Sequence, residues 1–293
     1  MNETAPTSFS EEALAEAVVA RMADCPDARL KQVMAAVVRH LHALVREVEP
    51  SQEEWTAAID FLTRTGQMCD DRRQEYILLS DTLGVSMLVD AIDNRKPSGA
   101  TESTVLGPFH VPGAPRREMG ESICLDGEGE PLLVSGRVAG TDGQPVEGAS
   151  LDVWQASDAG FYDVQQPGIQ PEMNLRGIFT TGADGRFWFR SVKPQYYPVP
   201  TDGPVGRMLA GLGRHPYRPA HIHFIVTAPG YRPVTTHIFV EGDPYLGSDA
   251  VFGVKPGLVR EFRHRDDPAQ AAEVGLANPF WAVESDFTLV PAG

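Results

Sequence analysis

Four Asp-Gly dipeptides divide the second half of the chain into short runs of aliphatic, aromatic and β-branched residues. They stand at residues 126–127, 142–143, 184–185 and 202–203, among runs such as LLVSGRV, SLDVW, RFWFR and TTHIFV. Asp-Gly pairs are typical of tight turns because glycine readily adopts a positive φ. Short strands separated by such turns predict an antiparallel β-sandwich in this part of the chain.

The first hundred residues instead show the periodicity of amphipathic helices. Apolar residues recur at steps of three and four from Leu30 to Leu44, and Trp55 begins a second stripe of the same kind. Such a stripe packs either into an internal core or, alternatively, against a second subunit. The fold class is therefore α+β, with a helical domain over residues 1–100 and a β-sandwich domain over residues 101–293.

Two segments in the helical part match the capping box, in which a hydroxyl and a glutamate satisfy the free amides of a first helical turn. They are SFSE at residues 8–11 and SQEE at residues 51–54. Residues 76–92 are predicted to form one more helix.

Bulk properties exclude several classes of protein. The chain has 293 residues and a formal net charge of −15, so nucleic acid and anionic membrane surfaces would repel it. Its three cysteines are far apart and form no CxxC pair, which argues against a disulfide framework or a cysteine zinc site. A secretory signal and a stretch of about 20 apolar residues are both lacking. We therefore expect a cytoplasmic protein with reduced thiols and no membrane association.

The run RPAHIHFIV, residues 218–226, places two histidines one residue apart in a predicted strand. Alternate strand residues share a face, so His221 and His223 would point the same way, about 6.6 Å apart at Cα. Two imidazoles so arranged can bind one metal ion, although an HxH pair also occurs in ordinary sheet packing. No HExxH motif or adjacent carboxylate supplies the third ligand of a zinc hydrolase or an iron site of the 2-His-1-carboxylate type.

Tyrosines in two upstream turn-rich segments offer a different kind of ligand. The segments are AGFYDVQ (159–165) and VKPQYYPVPTDGPVG (192–206). A tyrosinate is a hard anionic oxygen donor with a pKa normally near 10, so it favours a strongly Lewis-acidic ion such as ferric iron.

Taken in order, the segments GFYD, YPVPTDGPVG, GRHPYRPAHIHF and TTHIFVEGDPY resemble the intradiol ring-cleavage dioxygenases, non-haem ferric enzymes that open aromatic diols between their hydroxyls. The resemblance covers most of the chain. Within the family it is closest to the enzymes acting on hydroxyquinol, because of ILLSDTLGVSMLVD (77–90) and TESTVLGPFH (101–110).

The resemblance implies one Fe(III) per subunit, bound by Tyr162, Tyr197, His221 and His223. Neighbouring residues of an extended segment point to opposite sides, so one of Tyr196 and Tyr197 would be a ligand. Tyr197 precedes a proline, which holds it extended, and it occupies the Tyr-Pro position of the family ligand. Tyr197 would also take a proton from the substrate.

Two further polar residues are implied by the resemblance. Arg218, in the family's RPAH element, would be a fixed cation that stabilises negative charge on the substrate, whereas a salt-bridged surface arginine is the alternative. His237 stands where catechol-cleaving members often carry glutamine, and it would lie next to the metal ligands and tune the iron.

The resemblance also implies a substrate pocket around Arg218. Its other members would be Leu78, Asp81, Val105, Gly107, Pro108, Phe109, Val199, Pro200 and Val251. A carboxylate at Asp81 would accept a hydrogen bond from a third ring hydroxyl, and catechol would leave it unpaired. The alternative for Asp81 is a hydrogen bond to a local backbone amide.

The expected reaction is cleavage of hydroxyquinol (1,2,4-trihydroxybenzene) by O2 to 3-hydroxy-cis,cis-muconate, the tautomer of maleylacetate. The first alternative is the same chemistry on catechol or chlorocatechol, and the second is a non-catalytic β-sandwich binding module. The resemblance further implies a homodimer joined through the N-terminal helices, in which lipid is sometimes held at the helical interface.

Overall fold

The computed structural model describes residues 10–70 and 73–293 of the chain. It contains two compact units, Met1–Thr63 and Arg64–Gly293. The last helix before the strands ends at Asp93 and the first strand begins at Pro131. The predicted domain boundary at residue 100 falls in this interval and stays a prediction.

Five α-helices precede the first strand in the described part of the chain. They are α1 (Leu14–Ala20), α2 (Ala28–Val48), α3 (Gln52–Gln67), α4 (Glu75–Thr82) and α5 (Val85–Asp93). Before α3, Ser51 Oγ accepts from the Glu54 amide at 3.2 Å and the Glu54 carboxylate accepts from the Ser51 amide at 2.8 Å. The capping box predicted there is confirmed. The one predicted at residues 8–11 includes Ser8, which lies outside the described residues.

The prediction of one continuous helix over residues 76–92 is wrong. Gly84 lies between α4 and α5 with a φ of 74°, in the left-handed region. A helix cannot pass through a left-handed residue, so the chain ends α4 and starts α5 in a new direction.

The part of the chain after α5 is rich in strands. The strands are β1 (Pro131–Gly140), β2 (Ser150–Gln155), β3 (Arg176–Thr180), β4 (Arg186–Val192), β5 (Tyr197–Pro198), β6 (Tyr217–Arg218), β7 (His221–Thr227), β8 (Val234–Val240), β9 (Val259–Arg260), β10 (Arg263–Arg265), β11 (Phe280–Glu284) and β12 (Phe287–Leu289). Two further helices, α6 (Pro204–Gly211) and α7 (Pro268–Val274), lie among them.

The strands form two five-stranded sheets and a two-stranded ribbon. One sheet has the order β10-β11-β1-β12 with β4 also paired to β1, the second has the order β3-β2-β7-β8-β9, and β5 pairs with β6. The predicted α+β class, with helices followed by a sandwich, is confirmed. The pairing is mixed rather than wholly antiparallel, because β1 runs parallel to β11 and β12, and β8 parallel to β9.

The two sheets bury one shared hydrophobic core. Strand β1 alternates buried and half-buried residues along its whole length, as a strand with one face in a core must. Its inward residues, such as Val134, cluster with Phe189 of β4 and with Ile222 and Phe224 of β7. The inward face of β7 is therefore apolar, and its other face is free to carry polar groups.

Two of the four Asp-Gly pairs form the expected tight turns: the Gly143 amide donates to the Gly140 carbonyl and the Gly185 amide to the Gly182 carbonyl, both at 2.9 Å. Gly127 has the positive φ of 76°, but at this pair the Asp126 side chain accepts from the Glu128 amide at 3.2 Å. Gly203 has a φ of −96° and instead precedes the first turn of α6. No helix in the described part of the chain has the length and apolar character needed to cross a bilayer.

Candidate metal centre and adjoining cavity

The two histidines of the HIH motif lie on the face of β7 opposite the core. Ile222 and Phe224 point into the core, so the alternation of the strand directs His221 and His223 to the other side. Both are nevertheless buried, with 2% and 1% of their surfaces exposed. The Trp154 ring stacks on His223 with its centroid 4.5 Å away, which covers the imidazole on one side.

The β5–β6 ribbon brings Tyr197 and Arg218 together. These two residues are paired across the ribbon, so their side chains lie on the same side of it. Tyr197 is 2% exposed, whereas the neighbouring Tyr196 is 41% exposed and packs its ring 4.9 Å from that of Tyr245. The extended backbone thus directs one tyrosine inward and the other outward.

Tyr162 is held by a short 3₁₀ turn, Asp163–Gln165, and by the side chains that fix that turn. The Gln165 side chain accepts from the Tyr162 amide at 2.9 Å. Asp163 forms a buried ion pair with Arg176, at 2.9 Å from Nε and 2.6 Å from Nη2, and also accepts from the Met173 amide. Because breaking a buried ion pair leaves an uncompensated charge, this turn has little freedom to move.

The donor atoms of the four predicted ligands converge. Tyr162 Oη lies 2.9 Å from His223 Nε2 and 3.3 Å from Tyr197 Oη, and His221 Nε2 lies 3.0 Å from His223 Nε2. Ligand atoms bound to one ion at about 2.0–2.1 Å, at angles of about 90–109°, are about 2.9–3.4 Å apart. The observed separations therefore fit the edges of one coordination shell.

The protonation states of these groups also suit a cation. Burial, together with the adjoining Tyr197, raises the pKa of Tyr162 well above its ordinary value, so the phenol ionises there only if a positive charge compensates. Burial and then Arg218 lower the pKa of His221 well below its ordinary value. Burial and the neighbouring imidazoles do the same for His223. Neutral imidazoles present free lone pairs, and two phenol oxygens make the set attractive to a hard trivalent ion.

The backbone selects the tautomer of His221. Its Nδ1 lies 2.7 Å from the Pro219 carbonyl oxygen, which can only accept, so Nδ1 carries the proton. Nε2 is left as a lone-pair donor that faces His223. This is the usual way in which proteins orient a metal-binding imidazole.

Arg218 stands beside the donor cluster and is fixed by Asp249. Its Nη1 lies 3.5 Å from Tyr197 Oη and 3.3 Å from His221 Nε2, and its Nε donates to Asp249 Oδ1 at 3.2 Å. Burial by itself would lower the pKa of Arg218, but the Asp249 carboxylate and the tyrosine oxygens outweigh it and raise the pKa above its ordinary value. The guanidinium is therefore a permanent, buried positive charge rather than the surface arginine of the alternative reading.

His237 lies across from His223 on β8. The metal-binding atoms of His221, His223 and His237 all lie within 4.8 Å of one another, so these three imidazoles form a second combination that could hold an ion. The His237 ring, however, stacks on that of His221 at 4.7 Å with an angle of 20° between the planes. The lone pairs of an imidazole lie in the plane of its ring, so those of two stacked rings are nearly parallel and do not point at one ion. This favours the ligand set that contains the two tyrosines.

All ten residues predicted for the substrate pocket line one narrow cavity next to the donor cluster. Tyr197 lines the same cavity. Gly107 has a φ of 77°, and a Cβ at this position would lie 3.2 Å from Cε1 of His223. Glycine therefore suits position 107, where the wall of the cavity comes close to the metal ligands.

Asp81 is buried in the wall of this cavity, only 4% exposed. Burial raises the pKa of its carboxyl group, while a hydrogen bond with the Ser86 side chain and the charge of Arg218 act in the opposite direction. The carboxylate is thus a buried hydrogen-bond acceptor that faces the cavity. The partner of the Asp81 carboxyl group is the Ser86 hydroxyl, whereas the alternative prediction gave it a local backbone amide.

Four residues that support the site were not predicted: Trp154, Asp163, Arg176 and Asp249. Trp154 packs against His223 and Asp249 pairs with Arg218, whereas Asp163 and Arg176 pair with each other and fix the turn that holds Tyr162. The sequence itself shows the aspartate at the end of GFYD and the aspartates of the DPY and SDA segments after β8. Nothing in the sequence, however, pairs Asp163 with Arg176 or Asp249 with Arg218.

The comparisons with known proteins agree with this geometry. The family model described as "Dioxygenase" matches residues 105–289, and the one described as "Catechol dioxygenase N terminus" matches residues 27–101. The hydroxyquinol 1,2-dioxygenase of Rhizobium sp. (strain MTP-10005) is 62% identical over 282 residues, which cover 96% of each chain. The 6-chlorohydroxyquinol 1,2-dioxygenase of Cupriavidus pinatubonensis is 52% identical and covers 88% of this chain and 94% of its own.

Solved structures give the same result. The crystal structure of hydroxyquinol 1,2-dioxygenase from Pseudomonas putida DLL-E4 superimposes with a TM-score of 0.90 at 48% identity, covering 96% of this chain and 99% of that one. Catechol 1,2-dioxygenase from Pseudomonas arvilla C-1 gives a TM-score of 0.81 at 33% identity, covering 96% and 91%. The converging tyrosines and histidines, the fold and these matches agree: the chain belongs to the intradiol ring-cleavage dioxygenase family.

Proposed function

We propose that this protein cleaves hydroxyquinol with O2, between its adjacent hydroxyls, to 3-hydroxy-cis,cis-muconate, the tautomer of maleylacetate. The observation that carries the proposal is the buried Asp81 carboxylate in the wall of the cavity next to the donor cluster. A third ring hydroxyl would donate to this acceptor in addition to its contact with Ser86, whereas catechol would supply no such hydrogen bond, a difference of about 0.5–1.5 kcal/mol, or up to about 3 kcal/mol where the acceptor is charged. The similarity to relatives named for hydroxyquinol supports the same substrate.

Intradiol dioxygenases are iron-dependent, and we propose that Tyr162, Tyr197, His221 and His223 hold one Fe(III) per chain. Ferric iron in this position would act as a Lewis acid that withdraws electron density from the aromatic ring and makes it reactive toward O2. The close separations of the four donor atoms and their burial support this ligand set over the three-histidine set. His237 then supports the His221 ring from its stacked position.

The two tyrosines have different roles in the proposal. Tyr197 is the one whose side chain lines the cavity, so its phenolate oxygen can accept a proton from a substrate hydroxyl. Arg218 Nη1 lies 3.5 Å from that oxygen, and its charge would stabilise the anion of a diol bound there. Tyr162 is anchored through Asp163 and Arg176 and stays in place.

Arg218 has a second task during the reaction. Deprotonation of the diol adds negative charge at the end of the cavity, and the guanidinium is already aimed there by Asp249. A preorganised charge of this kind stabilises the transition state without reorganisation at the moment of reaction.

Oxygen uptake by the iron-loaded protein tests the substrate assignment. We expect faster uptake with hydroxyquinol than with catechol, because only the triol offers Asp81 a hydrogen bond from the ring. Heat-denatured protein corrects for the autoxidation of hydroxyquinol, and the ring-opened product is identified by mass spectrometry. Faster uptake with catechol, or with a chlorocatechol, would contradict the assignment, and the absence of uptake with any of these diols would favour the binding module.

The role of Asp81 predicts a change in selectivity. Asp81→Asn keeps the shape of the side chain but loses its charge, so we expect the ratio of kcat/KM for hydroxyquinol over catechol to fall about tenfold. Asp90→Asn is the matched control, since Asp90 pairs with Lys255 and Ser103 instead of lining the cavity. An unchanged ratio in Asp81→Asn would remove this residue from substrate recognition.

The ligand role of Tyr162 predicts a change in colour. Two tyrosinates bound to Fe(III) give a visible charge-transfer band, and Tyr162→Phe should weaken and shift it and lower the iron content per chain. Visible absorption and elemental analysis measure the two effects. Tyr196→Phe is the matched control, because Tyr196 points away from the cluster and should leave the spectrum unchanged. A wild-type spectrum in Tyr162→Phe would exclude it as a ligand.

We also propose that the chain forms a homodimer through its helices and that lipid binds at that interface. The apolar stripe of α2 supports the dimer, because Leu30, Leu41 and Leu44 are between 52% and 54% exposed. Exposed leucines in such a row are typical of a surface that another chain covers. A cytoplasmic location agrees with the three free cysteines and remains part of the proposal.

Light scattering after size exclusion tests the dimer. We expect twice the chain mass of 31.9 kDa for the wild type, and a shift toward the monomer in Leu41→Glu. Ala36→Glu, on another face of α2, is the control and should remain dimeric. A wild-type monomer at micromolar concentration would contradict the proposal.

A further inference from the structure

The narrow cavity continues outward into a wider recess of the second unit, which we call the outer vestibule. The cavity and the vestibule share five lining residues: Leu78, Pro108, Phe109, Val199 and Pro200. Leu78 of α4 and Val199 and Pro200, which follow β5, line both spaces, so a ring that enters the cavity by this route passes them. The relative positions of α4 and the segment after β5 therefore affect the width of the passage.

An ion-pair network at the rim of the vestibule joins these two walls. Arg73 donates to Asp202 in a bidentate pair, Nη1 to Oδ2 at 2.9 Å and Nη2 to Oδ1 at 2.8 Å. The same guanidinium donates to Glu75 Oε2 from Nε at 3.0 Å and from Nη2 at 2.9 Å. Planar bidentate pairs of this type are the strongest and most directional that arginine makes.

Each end of the network is tied to one wall. Glu75 is the first residue of α4, one turn before Leu78, and its Oε1 also accepts from the Val205 amide at 3.2 Å. Asp202 is two residues after Pro200. A Cβ at Gly203 would overlap the Glu75 carboxylate, so glycine at 203 lets the two segments come this close.

We propose that Arg73 and Asp202 form a latch that holds the passage narrow and thereby restricts the size of ring substituent that the enzyme accepts. The proposal rests on the hydroxyquinol-cleaving function proposed above and adds a specificity determinant outside the metal centre. Arg73 and Asp202 act by positioning Leu78, Val199 and Pro200 and do not touch the reacting atoms.

The latch is strong enough to position the walls and weak enough to open. The Asp202 side chain is 67% exposed and that of Arg73 27% exposed, whereas the Glu75 side chain is fully buried. The Arg73–Asp202 contact is therefore the screened, reversible part, and the Arg73–Glu75 contact is the permanent anchor. An exposed pair contributes up to about 1 kcal/mol, which corresponds to about a fivefold change in an equilibrium.

Asp202→Ala and Asp202→Asn test the latch, because both leave the buried Arg73–Glu75 pair intact. Selectivity is measured as kcat/KM for a tert-butyl-substituted hydroxyquinol relative to hydroxyquinol. We expect the ratio to rise about threefold to fivefold in Asp202→Ala and less in Asp202→Asn, which keeps a neutral acceptor, with kcat for hydroxyquinol unchanged. Glu261→Gln breaks an exposed ion pair with Arg263 outside the vestibule and is the matched control.

The dependence of selectivity on ionic strength distinguishes the latch from a purely structural role, which salt would not affect. Raising the ionic strength should shift the selectivity of the wild type toward the bulky ring and have no such effect on Asp202→Ala, which has no pair to screen. A ratio in both Asp202 variants that equals that of the wild type, with an unchanged Tm, would overturn the latch.

Calorimetric binding of tert-butylphenol relative to phenol separates this proposal from the proposed function, because it needs no turnover. A higher relative affinity for tert-butylphenol in Asp202→Ala than in the wild type supports the latch even if hydroxyquinol is not the substrate. Equal relative affinities overturn it even if hydroxyquinol is cleaved.

Discussion

Two phenol oxygens and two imidazole nitrogens are crowded together on buried side chains, and much of the second unit is arranged around them. Donor atoms separated by 2.9–3.3 Å in such a place repel one another unless protons or a cation lie between them. The local environment opposes charge on three of these groups, since burial raises the pKa of Tyr162 and lowers those of His221 and His223. We propose that a trivalent ion lies between these atoms, where it would compensate all of them together.

The sandwich supplies the rigidity that this crowding requires. The same strand that sends Ile222 and Phe224 into the core sends the two histidines to the site, so the position of the imidazoles is fixed by core packing. Buried ion pairs then fix the irregular segments: Asp163–Arg176 holds the turn of Tyr162, and Asp249 holds Arg218. The vestibule continues this pattern with a more exposed pair, Arg73–Asp202, at a point where movement serves substrate entry.

Features with a local cause could be predicted from the sequence. The period of two in HIHF, the capping box at Ser51 and the turns at two Asp-Gly pairs depend on residues close together in the chain. The break at Gly84 was also local, but apolar periodicity through LSDTLGVSM masked it. The parallel pairing of β1 with β11 and β12 joins segments about 150 residues apart. No pattern within either segment indicates that they pair.

The residues of the site likewise divide into those that could be predicted from the sequence and those that could not. The ligand set and the pocket residues came from short motifs shared with a known family, and the structure brings them to one place. The partners of those residues could not be predicted, because Asp249 and Arg176 are ordinary charged residues until the fold buries them beside Arg218 and Asp163. The role of Arg73 likewise emerges only when α4 and the segment after β5 are seen as two walls of one passage.

We propose that two tyrosines and two histidines hold iron. Crystal diffraction recorded on both sides of the iron absorption edge tests it most directly. We predict one anomalous peak per chain within about 2.3 Å of Tyr162 Oη, Tyr197 Oη and the Nε2 atoms of His221 and His223. A peak bound instead by His221, His223 and His237, with the tyrosines outside bonding distance, would contradict the account, as would the absence of an iron peak from catalytically active crystals.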